Sequence, residues 1–431
     1  MNNDELQVLG KSRKLSKREK WIISIVAIVL LALVVVSGMA VHRAFPPEQT
    51  EKIKTGKKMG EPIIIPELQQ AVDSLLNARM SEINCLQGQA IVMEVQTGEI
   101  LAMSGLERNF EGKFQPCKNF GYQQELGSLM KTASLLAVLE TGKVKIDDVV
   151  DTGNGIWPVD NERLMKDHNW RRGGYGTITL ARALEISSNI GIGKAVERAF
   201  GNNQQEFFNL LDKMSFGQPN HIDGIDGLKV NKYSSPKDSN WISRRIWWSA
   251  IGYERLIAPI QMLTFYNAIA NDGRMVKPTL KTGEIEVINP QIASKENIKK
   301  MQVILEHVVS QGLGRKAGSP LIRVAGKTGT SQVGEYEFGE DTYVTEYQMA
   351  FCGYFPADAP RYSIIVSMNK LGLPASGGGM GGPVFHYIMN WIITHDLLPL
   401  LVVDDETSDT IHVTESTLDR AYEILHRHDD E

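Results

Sequence analysis

The sequence has only three cysteines, Cys85, Cys117 and Cys352, an odd number that leaves room for one disulfide and excludes a cysteine-stapled scaffold. It also lacks an excess of either charge. Its 46 basic and 51 acidic residues give a formal net charge of −5, without the basic surplus that would point to nucleic acid. No low-complexity segment and no internal repeat is present, which excludes solenoids and arrays. His168, His221, His307 and His386 fall at no ligand spacing, so neither a metal nor another cofactor is expected. Long apolar runs free of charge are lacking too, with one exception.

That exception is residues 21–41. Trp21 to Met39 contains no charged residue, and Lys11, Arg13, Lys14, Lys17, Arg18 and Lys20 cluster just before it. At about 1.5 Å per residue such a helix spans about 28 Å, close to a hydrocarbon core of about 30 Å. The basic cluster of residues 1–20 should stay in the cytoplasm, which sends everything after residue 41 outside. The expectation is a single-pass anchor in the cytoplasmic (inner) membrane with a periplasmic body. A cleaved signal peptide is the competing reading, since Ser37-Gly38-Met39-Ala40 faintly resembles a cleavage site.

Residues 42–66 carry Pro46-Pro47 and several lysines and read as a linker. Pro66 then opens a helix over Glu67 to Ile83, with Leu68, Val72, Leu75, Leu76 and Met80 on one face. Gln89 to Val95 and Ile100 to Met103, joined by Gln96-Thr97-Gly98-Glu99, read as a β-hairpin. Glu107 to Gln124 reads as loop, and 143 to 320 as largely helical, with clear segments at Phe207–Met214, Pro259–Asn271 and Asn297–Ser310. Strands follow at Leu321–Val324 into the next motif, Tyr347–Phe355 and Tyr362–Met368. The glycines from Gly377 to Gly382 read as a flexible loop before a helix from Pro383 to about Leu397. Two strands, helices, three strands and a final helix describe an α+β fold, a five-stranded antiparallel sheet flanked by helices with an all-helical insertion, at 67–400. Residues 401–431 form an acidic tail, with a last helix after Ser416.

Three short motifs carry chemistry. In Ser128-Leu129-Met130-Lys131 the lysine lies one helical turn beyond the serine, on the same face. A serine hydroxyl attacks only when a base takes its proton, and this spacing supplies one. The run from Thr132 to Glu140, stopped at Gly142, makes the context a helix start. Ser187-Ser188-Asn189 follows the helical run Ile178–Ile186, and Lys327-Thr328-Gly329-Thr330 continues a strand. The ordered set Ser-x-x-Lys, Ser-x-Asn, Lys-Thr-Gly is that of penicillin-binding proteins and class A β-lactamases.

The set and its surroundings resemble the transpeptidase domain of class B penicillin-binding proteins. The hairpin Thr97–Met103, the stretch Ile251-Gly252-Tyr253 to Asn271-Asp272-Gly273, and Phe351-Cys352-Gly353-Tyr354-Phe355-Pro356 carry the likeness beyond the motifs. It covers about residues 66 to 397. Two departures stand out. Only residues 42 to about 66 lie where the family carries a large pedestal, so a short form without it is expected. Glu125-Leu126-Gly127-Ser128 also stands where the family has Glu-Pro-Gly-Ser.

The resemblance implies a D,D-transpeptidase that cross-links peptidoglycan stem peptides ending in D-Ala-D-Ala and is acylated by β-lactams, with D,D-carboxypeptidase activity as a variant outcome. Ser128 is then the nucleophile, Lys131 its base, and Ser187 the proton relay. Asn189 holds Lys131 and the substrate backbone. Lys327, Thr328, Gly329 and Thr330 bind the substrate, with the N–H groups of Ser128 and Thr330 as oxyanion hole. A glycan polymerase or another cell-wall protein is the implied partner. The alternatives are a membrane-anchored β-lactamase or β-lactam sensor on the same fold, and a non-catalytic cell-wall scaffold. An exported location would also permit pairing of Cys85 with Cys117.

Overall fold

A computed structural model describes residues 60–159, 163–337 and 343–397. The basic tail at 1–20, the apolar run at 21–41, the linker up to residue 59 and the acidic tail from 401 lie outside the described residues. Among those described, no helix is long and apolar enough to cross a membrane.

The sheet is antiparallel throughout and is built from the two ends of the domain. Its strands, in chain order, are β1 (Gln87–Glu94), β2 (Ile100–Arg108), β3 (Phe114–Pro116), β4 (Ala325–Glu337), β5 (Tyr343–Phe355) and β6 (Tyr362–Leu371), arranged β4-β5-β6-β1-β2-β3. The sheet therefore has six strands, not five. The extra one, β3, forms where the sequence reads as loop. It is three residues long with little buried, so it carries no period-2 signature, and pairing with Leu106–Arg108 alone defines it.

Side chains alternate across this sheet and divide the core in two. Ile91, Met93, Ala350, Cys352, Tyr354 and Ile365 face the helical body. Ala90, Val92, Met349, Phe351, Ile364 and Val366 face the opposite side. There they meet α1 (Pro66–Glu82), through Leu68, Val72, Leu76 and Met80, and the last α-helix, α9 (Gly382–Ile392). The bodyward face is covered by α7 (Pro259–Ala270), whose twelve residues are all buried, so it is a core helix and not an amphipathic one. Each fully buried large apolar side chain contributes about 1.5–3 kcal/mol.

Four more helices complete the path to the site. They are α2 (Met130–Glu140), α3 (Leu180–Glu185), α4 (Asn189–Phe200) and α5 (Gln204–Lys213), with α6 (Arg245–Ala250) and α8 (Lys295–Ser310) beside them. The insertion is not all-helical. Four two-stranded ribbons punctuate it, the longest pairing Val149–Asp151 with Thr177–Thr179 and Ile156–Pro158 with Leu164–Lys166. Strands this short leave no readable alternation. Leu321–Val324 is not strand either; β4 begins at Ala325. The glycine-rich stretch is a π-helical turn, Gly377–Gly381, mostly buried against β4 and β5, and not a flexible loop. A Cβ on Gly377 would lie 2.2 Å from the Gly329 carbonyl oxygen, so the glycine serves close approach. Cys85, Cys117 and Cys352 are all free and buried. Cys85 packs among Met80 and Leu76 beneath α1, while Cys117 sulfur accepts from Gln87 Nε2 at 3.5 Å, so the two thiols serve separate surroundings and do not pair.

Candidate active site

Ser128 sits in a tight 3-10 turn, Gly127–Leu129, that runs directly into α2. Every residue of α2 from Met130 to Leu139 is buried, which fixes the helix in the middle of the body. The turn is pinned from three sides. Tyr266 on α7 donates to the Leu129 carbonyl at 2.9 Å and meets Thr132 Oγ1 at 2.6 Å. Ser331 on β4 donates to the Glu125 carbonyl at 2.6 Å. Gly127 is left-handed at φ 53°, and a Cβ on Gly252 would lie 2.0 Å from its oxygen. The glycine of the lysine-threonine-glycine motif belongs to the same packing. A Cβ on Gly329 would lie 2.6 Å from Leu126 oxygen, so this glycine lets β4 reach the nucleophile turn. Its bare Cα faces that turn.

Lys131 and Lys327 are both fully buried. Lys131 Nζ donates to the Ser187 carbonyl at 2.6 Å and to the Ser187 hydroxyl at 3.2 Å. Lys327 reaches the same hydroxyl at 2.9 Å and donates also to Thr328 oxygen at 3.0 Å. It points into the body because it shares the face of Ala325 on β4, opposite Cys352. Burial pulls the Lys131 ammonium down to about 7, against the opposing pull of Asp167. Burial also pulls Lys327 well below the usual lysine range, and the nearby Lys131 charge pushes the same way.

Ser187 lies between α3 and α4 with φ at 57°, a conformation rare outside glycine. Its neighbours are held by Asp167, fully buried, which accepts from Ser188 Oγ at 2.8 Å, Asn189 N at 2.6 Å and Ile190 N at 3.1 Å. Asn189 Nδ2 donates to Lys166 oxygen at 2.7 Å, while the hydrogen bonds of Lys131 Nζ go to Ser187.

Ser128, Ser187, Asn189, Thr328 and Thr330 line one cavity of about 390 Å³. Lys131, Lys327 and Gly329 lie behind its wall. Beyond the sequence motifs the lining includes Ile251, Tyr253, Leu313 and the stretch Ala375 to Gly378. His168 also lines it, its Nε2 at 2.9 Å from Tyr175 OH, and burial lowers its basicity. The cap that Asp167 forms twenty-odd positions away is a tertiary fact that no sequence spacing encodes. Among the described residues, the cavity wall carries no carboxylate.

Residues 88–390 match the penicillin binding protein transpeptidase domain, and the chain belongs to that family. It is 29% identical over 338 residues to stage V sporulation protein D of Bacillus subtilis, covering 73% of this chain and 49% of that protein. It is 25% identical over 370 residues to peptidoglycan D,D-transpeptidase FtsI of Escherichia coli K12, covering 81% and 59%. The chain thus spans about half the length of the curated relatives it matches. Among solved structures it resembles the transpeptidase domain of Burkholderia pseudomallei penicillin-binding protein 3, with TM-score 0.65, 26% identity, and 78% and 96% of the two chains covered. It also resembles penicillin-binding protein 3 of Mycobacterium tuberculosis complexed with aztreonam, with TM-score 0.64, 25% identity and 78% of each chain covered.

Proposed function

We propose that the chain is a serine D,D-transpeptidase that cross-links peptidoglycan stem peptides ending in D-Ala-D-Ala, and that β-lactams acylate it at Ser128. The carrying observation is one hydroxyl, Ser187 Oγ, within 2.9 and 3.2 Å of two buried lysines, in the cavity that also holds Ser128.

The chemistry follows from that placement. Neutral Lys131 takes the Ser128 proton as Oγ bonds to the carbonyl carbon of the penultimate D-alanine. The N–H groups of Ser128 and Thr330 are proposed to hold the oxyanion, a contribution worth about 10²–10³ in rate per donor. The C–N bond then breaks, and Lys131 returns the proton through Ser187 Oγ to the departing D-alanine amine. A second stem-peptide amine attacks the ester, gives up a proton by the same route, and Ser128 regains its hydrogen as the C–O bond breaks. A carboxylate docking on Thr328 and Thr330 would bring negative charge beside Lys327, favouring its protonated form. Glycan polymerases or other cell-wall proteins are the proposed partners.

Residues 21–41 are proposed as the single membrane anchor, with residues 67–400 outside the cytoplasmic membrane. The charge-free run and the basic cluster before it support this.

The test is labelling of the full chain with a fluorescent penicillin, competed by unlabelled drug. Labelling that survives Ser128→Ala would remove the nucleophile assignment.

A further inference from the structure

We propose that Asp167 is the positioning residue of this site, holding the Ser187 turn against the two lysines and supplying the buried negative charge that offsets theirs. The inference rests on the reading of Lys131 and Ser187 given above.

The positioning half follows from hydrogen bonds. The first N–H groups of a helix have no partner within it. In α4 the Asn189 and Ile190 N–H groups go to Asp167 Oδ1, and the Gly191 N–H goes to Ser188 Oγ at 2.9 Å. Ser188 in turn donates to Asp167 Oδ2. One carboxylate thus ties down both the helix start and its N-cap. The residue before that cap is Ser187, in a left-handed conformation that is unfavourable outside glycine and persists only where its surroundings over-determine it. In that conformation its carbonyl and hydroxyl both face Lys131, and the hydroxyl also faces Lys327. A side chain from a loop outside the three motifs therefore sets the geometry of the middle one.

The charge half follows from burial. Among the described residues neither lysine forms an ion pair, and none of those lining the cavity is a carboxylate. Asp167 is fully buried and its field favours the charged form of Lys131, the sense opposite to burial. The other titratable and charged groups around it are Lys327 on β4, Arg182 on α3, and His168, Arg172 and Tyr175 on its own loop. Arg172 and the lysines all oppose a proton on His168, leaving Asp167 to oppose them.

Asp167→Asn separates the two halves. An amide can keep the contacts, its oxygen accepting from the α4 N–H groups and its nitrogen donating to Ser188, while the charge is lost. Two readouts on the full-length chain decide it. The first is the NMR titration of the Lys131 ε-carbon, which needs no catalysis. Asp167→Asn should lower its midpoint by about 1 pH unit. The second is the pH profile of benzylpenicillin acylation, whose acid limb should move down by the same amount. Asp167→Ala, losing contacts as well, should cut the plateau acylation rate by about 10²-fold through misplacement. An unmoved Lys131 midpoint in Asp167→Asn overturns the charge role. A plateau undiminished in Asp167→Ala overturns the positioning role. If the native chain is not acylated at all, the proposed function fails while the titration still decides Asp167.

Discussion

Lys131 and Lys327 meet at a single oxygen, the Ser187 hydroxyl, 3.2 Å from one Nζ and 2.9 Å from the other. Two ammonium groups that close, both out of water, cannot both stay charged without a large electrostatic penalty. The arrangement keeps a base neutral near physiological pH without any histidine. It also makes the protonation of one lysine depend on what binds beside the other.

The first prediction is a pH dependence. Lys131 falls from an ordinary 10.5 to about 7 on burial. Its neutral form, the base, accumulates as pH rises through that value. Acylation by benzylpenicillin, followed from about pH 5 to about pH 9, should rise tenfold per unit on the acid side and level off above about 7. A rate still climbing tenfold per unit at about pH 9 would mean a lysine with its ordinary proton affinity.

Lys131→Met should separate activity from stability. Without its base, acylation should fall by about 10²–10⁴-fold. Between about 7 and 10.5 the unfolded state binds a proton that the folded state does not, so native stability rises with pH across that window. The penalty for burying this lysine is complete below about pH 7 and gone above 10.5. Thermal melts should therefore show Lys131→Met stabilised at pH 7, with the gain shrinking as pH rises. A variant less stable at pH 7 would contradict the burial argument.

Gly329→Ala should push β4 away from the nucleophile turn, since its Cβ would lie 2.6 Å from backbone oxygen. Overpacking of this kind destabilises by about 1–3 kcal/mol. Penicillin labelling should drop along with the melting temperature. Gly283→Ala, with nothing within 4 Å of its Cβ, should change neither. Equal behaviour of the two variants would show that β4 is free to shift.

Much of this was legible from residues alone. Buried helices announced themselves through caps and punctuation, as with Pro259 ahead of a mostly apolar run and Gly273 behind it. The three motifs placed Ser128, Ser187 and Thr330 around one cavity because each sits at the start or edge of an element that the core fixes. What escaped was short or non-local. Phe114–Pro116 is a strand only because Leu106–Arg108 lies beside it. Asp167 caps a helix from another loop, and Gly377 is small because Gly329 is close. Asn189 was expected at Lys131, yet its amide is taken by Lys166 oxygen, a partner that no spacing rule encodes.

The most direct test of the account is the fate of one covalent bond. Acylation and hydrolysis need different equipment: a β-lactamase of class A keeps a glutamate to activate water on the ester. Here Glu197 is exposed on α4, Glu206 pairs with Lys143 at 3.5 Å, and among the described residues the cavity wall carries no carboxylate. Intact-mass spectrometry of the chain after exposure to benzylpenicillin and removal of free drug should show one adduct of the drug's mass. Peptide mapping should assign it to Ser128, and it should persist for hours. An adduct that disappears within seconds while penicilloate accumulates, or one that forms equally on Ser128→Ala, would contradict the account.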